Sequence, residues 1–285
     1  MARPNLDHLL LQDIQAGDVE LGAGAYGRVF EVEYAGLACA AKEIHPIFFR
    51  VARREKLERT SRRIFFTSVK YGAHFATQTS YSLLVPTILL GTSRSGLPIM
   101  VMEKMSCSLR SLVERYGENK ISLRLKLSIL HDTTLGLWYL HIRHPPIVHR
   151  DLTPNNILVG SHLEAKITDL GVAKVIKDTD SGRKLTKAPG TPHFMPPEAL
   201  DDNPVYDTSL DIFSYGAVTL YVITQQWPEP KARERFNLAT GRRELVSAIE
   251  RRQEYLDMFT VSALNAELRP LVLSCLNDDS TKRPK

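Results

Sequence analysis

Between Ile147 and Val159 the chain reads IVHRDLTPNNILV, which sets a histidine, an arginine, an aspartate and two asparagines between apolar, β-prone runs. The spacing from Asp151 to Asn156 suits phosphoryl transfer. One carboxylate accepts a hydroxyl proton, and one amide oxygen five residues later binds a cation. Asp169 follows a short β-prone run in KITDLG, where an acid before Leu-Gly suits a second Mg²⁺ ligand at the start of a mobile loop. Upstream, LGAGAYGRV spaces Gly22, Gly24 and Gly27 as G-x-G-x-x-G. Lacking Cβ atoms, such glycines let backbone amides approach phosphates. In dinucleotide-binding folds a helix follows these glycines. Here β-prone Arg28–Val32 follows, which favours a hairpin lid. Lys42, fifteen residues past Gly27 on the apolar strand CAAKEI and facing opposite to Ala41, is a candidate phosphate clamp. Taken singly, the glycines read as a turn and the lysine as an edge charge; the catalytic-loop spacing decides between the readings.

These groups need a frame. Val19–Leu21, Arg28–Tyr34, Ala38–Glu43 and Pro98–Met102 read as strands, punctuated by glycines. From Ser106 the pattern turns helical: a short amphipathic helix over Ser108–Tyr116, then a long one over Leu123–His141 with Leu127, Leu130, Thr134, Leu137 and His141 along one side. Pro145-Pro146 stops it. A mostly apolar helix over Thr208–Thr224 is expected to be buried. A β-rich start, a connector near Glu103–Ser106 and a helical remainder make an α+β protein of two lobes with a cleft.

Composition narrows the class. The 285 residues are 43% hydrophobic and 24% charged, as in ordinary globular proteins. The net charge is +5, and the pI is about 9.0. The basic pairs Arg53-Arg54, Arg62-Arg63, Arg242-Arg243 and Arg251-Arg252 are scattered and read as solvated faces, so no nucleic-acid partner is expected. Cys39, Cys107 and Cys275 are odd in number and far apart, which gives neither a disulfide framework nor a zinc site. No apolar run approaches the roughly 20 residues that span a bilayer, and MARPNLDHLLLQD lacks the form of a signal peptide. The expectation is a cytoplasmic protein with no membrane partner.

In their order, the motifs resemble a eukaryotic protein kinase catalytic domain over nearly the whole chain, with the character of the tyrosine-kinase-like group of Ser/Thr kinases. The resemblance implies a bilobal protein-kinase-like fold, with a β-rich lobe over residues 1–105 and a helical lobe over 106–285. It implies ATP and Mg²⁺ as cofactors and a protein substrate. Asp151 is then the catalytic base, Lys42 holds the α/β-phosphates, and Asn156 and Asp169 hold the metal. Leu21, Gly22, Gly24, Gly27, Val29, Ala40 and Leu158 surround the nucleotide, with Met102 as gatekeeper and Glu103 and Met105 in the hinge. GTPHFMPPEAL, from Gly190, resembles the substrate-positioning loop, and its GTPHF start favours Ser/Thr over Tyr. Glu198 is expected to pair with Arg283, and Asp211 to tie the catalytic loop to the central helix. Residues 171–196, with Thr186 opposite Arg150, are expected to form a regulatory loop. Three departures stand out. Thr153 replaces the Lys of Ser/Thr kinases, Leu170 replaces the Phe of the metal motif, and the sequence stops two residues past Arg283, where the family has a final helix. The alternative is a nucleotide-binding pseudokinase or signalling scaffold.

Residues 63–81, RIFFTSVKYGAHFATQTSY, fall where the family has a helix whose Glu pairs with the lysine, yet they contain no carboxylate. Phe75–Ser82 can be encoded as TTC GCC ACC CAA ACA TCG TAC AGT. Read two bases on, that string gives Arg-His-Pro-Asn-Ile-Val-Gln, close to the His-Pro-Asn-Ile-Val loop that follows the helix in the family. The same shift from Phe65 allows a Glu across the codons of Thr67 and Ser68, nine residues before that His. The expectation is a segment translated out of its ancestral frame and a weak kinase as written. Glu55 and Glu58 lie nine or more residues upstream of the slot. Restoring the shifted reading from Phe65 to Leu90 should raise turnover at saturating ATP by on the order of a hundredfold, the cost of misplacing a reacting group by about 1 Å. ATP affinity should change less. Equal rates in the two versions would show that the pair is dispensable.

Overall fold

The computed structural model describes residues 14–24, 27–34, 36–44, 88–92, 98–116, 120–170, 174–175, 191–200, 207–225, 233–237, 242–246 and 263–285. The segment 63–81, Glu55, Glu58 and Thr186 lie outside the described residues. Two compact units emerge. One runs to Ser106 and includes Thr168–Gly171; the other comprises Cys107–Ile167 and Val172–Lys285.

The first unit is an antiparallel sheet of β1 (Ile14–Gly24), β2 (Gly27–Tyr34), β3 (Leu37–Ile44), β4 (Ile88–Thr92) and β5 (Pro98–Glu103), in the order β1-β2-β3-β5-β4. Strand alternation divides the middle of the sheet into two apolar faces. Val32, Ala41, Ile99 and Val101 pack on one, against Phe30 and Cys39. Ala40, Met100 and Met102 pack on the other, against Val29. Burial on both faces explains why β5, PIMVME, reads as a continuous apolar run. Gly36, at φ +78°, makes the turn from β2 to β3 in a conformation that L side chains avoid.

The second unit is built on α1 (Leu109–Tyr116), α2 (Leu123–His141), α3 (Ser209–Thr224) and α4 (Ala263–Cys275). Ser122 caps α2, its hydroxyl accepting from the Leu125 N–H. The α2 residues facing the core are Ile129, Leu130, Thr133, Gly136, Leu137, Tyr139 and Leu140. The face is therefore rotated from the expected one. Thr134 is exposed at its rim and bonds the Tyr215 hydroxyl at 2.9 Å. The central helix α3 buries Leu210, Asp211, Phe213, Ser214 and Gly216–Val222, as its all-round apolar sequence requires.

Short strands accompany these helices, among them the β-prone runs expected on either side of the catalytic-loop stretch and before Asp169. They are β6 (Cys107–Ser108), β7 (Ile147–Val148), β8 (Ile157–Val159), β9 (Ala165–Ile167), β10 (Lys174–Val175), β11 (Arg233–Asn237) and β12 (Arg242–Val246). β6, β8 and β9 form one small sheet, β7 pairs with β10, and β11 with β12. Those of two or three residues are too short for alternation to register in sequence. The α+β class is borne out, and among the described residues no helix is long and apolar enough to cross a membrane.

Gly216 lets α3 pack closely against the end of α4. A Cβ there would lie 2.7 Å from the Cys275 Cβ and 3.1 Å from the Leu276 Cγ. Gly216→Ala gains up to about 1 kcal/mol of helix propensity, but overpacking costs about 1–3 kcal/mol. The variant should be less stable than the parent in urea denaturation, against the usual sense of Gly→Ala in a helix.

Candidate active site

In the first unit, Lys42 and Asp169 meet. The Lys42 Nζ lies 2.8 Å from the Asp169 Oδ1, with both side chains largely buried. Lys42 reaches this position because alternation along β3 turns it away from the fully buried Ala41. Asp169 sits at φ +63°, a left-handed conformation that Asp tolerates better than most residues. Leu170 beside it is 5% exposed, so the apolar side chain in place of Phe is packed away from solvent. Gly24 and Gly27 face each other where β1 turns into β2. The β1–β2 register shifts between Glu20 and Gly22, while Leu21 and Gly22 are exposed. Among the described residues, Asp169 is the carboxylate that pairs with Lys42.

In the second unit, Asp151 is held from several sides. The Asn156 side-chain amide donates to the Asp151 carbonyl at 2.8 Å and to its Oδ2 at 3.1 Å. The Thr191 N–H donates to the Asp151 Oδ1 at 3.1 Å. With its NH₂ so engaged, Asn156 presents its amide oxygen as the remaining acceptor. That hard oxygen and the Asp169 carboxylate are donors of the kind Mg²⁺ takes. Among the described residues no group of three His, Cys, Asp or Glu is placed to cage a metal.

Asp211 anchors this loop. It is fully buried and accepts from the His149 N–H (2.8 Å) and the Arg150 N–H (2.9 Å), and it meets the His141 Nε2 at 2.8 Å. The bend so fixed includes Arg150 at φ +72°. Sequence reasoning placed His141 on an apolar stripe. A signal was there: an acid inside an apolar helix must find donors, and a histidine closing the preceding helix can supply one. Thr153, in the place of the family lysine, is buried, and its carbonyl accepts from the Asn156 N–H. Leu158 is half-buried on β8, opposite Lys166.

The loop around residues 191–200 is tied down twice. The Ser214 hydroxyl donates to the Phe194 carbonyl at 2.8 Å. Arg283 forks onto Glu198, its Nη2 lying 2.8 Å from Oε2 and its Nη1 bonding Oε1. The pairing expected of Glu198 and Arg283 is thus present. Burial pushes all three thiols up, Cys275 to about 11.

A family model described as the protein kinase domain matches residues 17–285. The chain is 27% identical over 275 residues, 93% of its length, to serine/threonine-protein kinase CTR1 of Arabidopsis thaliana, covering 29% of that protein. It is 31% identical over 216 residues, 76% of its length, to a putative serine/threonine-protein kinase/receptor of Acanthamoeba polyphaga mimivirus, covering 12% of it. To a probable serine/threonine-protein kinase of Dictyostelium discoideum it is 29% identical over 209 residues, 73% of the chain and 19% of the relative. The chain therefore spans less than a third of the length of each of these relatives. It belongs to the protein kinase domain family, and the group expected from its motifs is borne out.

The Arg283 side chain is fully buried, that of Glu198 21% exposed. Glu198→Ala leaves the guanidinium without its counter-ion, although the Asn277 and Ser209 carbonyls still accept from it. The loss should be about 3 kcal/mol, the low end for breaking a buried pair, read as a lower urea midpoint at unchanged slope. An unshifted midpoint would mean that the carbonyls alone satisfy Arg283.

Proposed function

We propose that the chain is an ATP-dependent protein kinase that transfers the γ-phosphoryl group to serine or threonine hydroxyls of a protein substrate in the cytoplasm. The observation that carries this reading is the Asp151 carboxylate, held between the Asn156 amide and the Thr191 N–H on a loop anchored by buried Asp211. Asp151 accepts the substrate hydroxyl proton as the oxygen attacks phosphorus. The Asn156 and Thr191 donors hold the carboxylate in one orientation. Lys42 holds the α/β-phosphates beneath the glycines Gly22, Gly24 and Gly27. The purine is bounded by Leu21, Val29, Ala40, Met102, Glu103, Met105 and Leu158. Asn156 and Asp169 are the Mg²⁺ ligands, and the ion, when bound, neutralises charge on the phosphates. Serine/threonine preference is supported by the names of the relatives and by the GTPHF stretch.

One observation favours the second reading, a nucleotide-binding pseudokinase or scaffold. Lys42 pairs with the proposed metal ligand Asp169, not with a helix glutamate, among the described residues. An assay with radiolabelled ATP and generic protein substrates separates the two. The kinase reading expects label transfer that falls by about 10²–10⁴-fold in Asp151→Asn, and a large loss in Lys42→Ala with folding retained. ATP binding without transfer in the parent chain would favour the scaffold. Full activity in Lys42→Ala would remove the phosphate-clamp assignment.

A further inference from the structure

We propose that Lys104 and Glu31 form a charge latch across the edge of the purine site, and that both are positioning residues for the nucleotide. The proposal rests on the nucleotide reading above and concerns two side chains to which that reading gives no role.

The latch follows from strand register. Val29 belongs to the apolar face of Ala40, Met100 and Met102, and Glu31, two residues on along β2, shares its face. Glu31 stands directly opposite Ala40, and Ala40 stands opposite Met102. The three make one row across β2, β3 and β5, with the smallest side chain in the middle. A row of acid, alanine and methionine leaves a gap over the alanine. Two residues past Met102, Lys104 turns back over this row, and its Nζ meets the Glu31 Oε1 at 2.7 Å. The ion pair therefore joins β2 to the connector at the Glu31 end of the row that contains Ala40, against which the purine is proposed to lie. Lys104 also stands between Glu103 and Met105, the hinge residues expected to meet the purine. Holding its ammonium on β2 restricts the peptide groups on either side of it. The side chains are 34% and 30% exposed, so the latch is partly screened and its strength depends on salt.

A fluorescent ATP analogue, titrated into the full chain with Mg²⁺ at about 0.01 M and about 1 M salt, tests this. The Debye length is then about 30 Å and about 3 Å. At low salt Lys104→Met and Glu31→Gln should each weaken binding about two- to fivefold, the size of an exposed ion pair, and at high salt they should converge on the parent. The exchange Glu31→Lys with Lys104→Glu should recover affinity. The sign for Glu31→Gln is decisive. Removing a carboxylate near a polyanion tightens binding if charge acts only through space, and weakens it if the latch positions the site. Tighter binding in Glu31→Gln, parent-like binding in both single variants, or no recovery in the exchange would overturn the latch. A parent chain that fails to bind the analogue would overturn the nucleotide reading and the latch together; binding by the parent with unaffected variants overturns the latch alone.

Discussion

A carboxylate with no access to water must be met by donors, and Asp211 imposes that condition on the second unit. Its position is set by α3, which is buried nearly all round and has no freedom to slide or rotate in its core. Two of its three donors are the successive amides of His149 and Arg150, and the third is the ring of His141 at the end of α2. Satisfying one buried charge thus fixes the backbone of a loop more than sixty residues away in sequence. It also holds Arg150 in a left-handed conformation, a kind of strain that persists only where its surroundings over-determine it. Asp151 follows in the chain, so its placement is inherited from Asp211.

The same helix supports more than one neighbour. Ser214, one turn past Asp211, bonds the Phe194 carbonyl, and the Ser209 carbonyl receives Arg283, which also bonds Glu198 and the Asn277 carbonyl. The Thr191 N–H in turn reaches Asp151. Loop, helix and C-terminal arginine form one polar network inside an apolar core, and such a network stabilises only when every member is satisfied.

The first unit is organised differently. Its sheet is apolar on both faces, and its charges meet at the margins: Arg28 with the buried Glu43, Lys104 with Glu31, and Lys42 with Asp169. Arg28 and Glu43 are direct cross-strand neighbours, so register alone brings them together. The Lys42–Asp169 contact has another origin, because Thr168–Gly171 groups with the strands although the chain around it belongs to the second unit. The chain thereby supplies its lysine with a counter-charge from the stretch expected to bind metal.

Local pattern was enough for some of this. The bounds of α2, Leu123–His141, follow from its period and from the prolines after it, and β3 and β5 from their apolar runs and the glycines around them. The spacing of Asp151 and Asn156 within five residues fixed that they could meet, because a short loop keeps them close whatever surrounds it. Partnerships between distant residues were not legible from pattern alone. Lys42 and Asp169 are separated by 127 residues, and Lys104 and Glu31 by 73. Nor could the sequence tell that the buried face of α2 is rotated off Thr134, or that His141 serves Asp211 and not the apolar stripe. Periodicity reports which side of an element is apolar. Which charged groups share that interior depends on strand register, helix rotation and the packing of one element on another, and these are set only when the whole chain has folded.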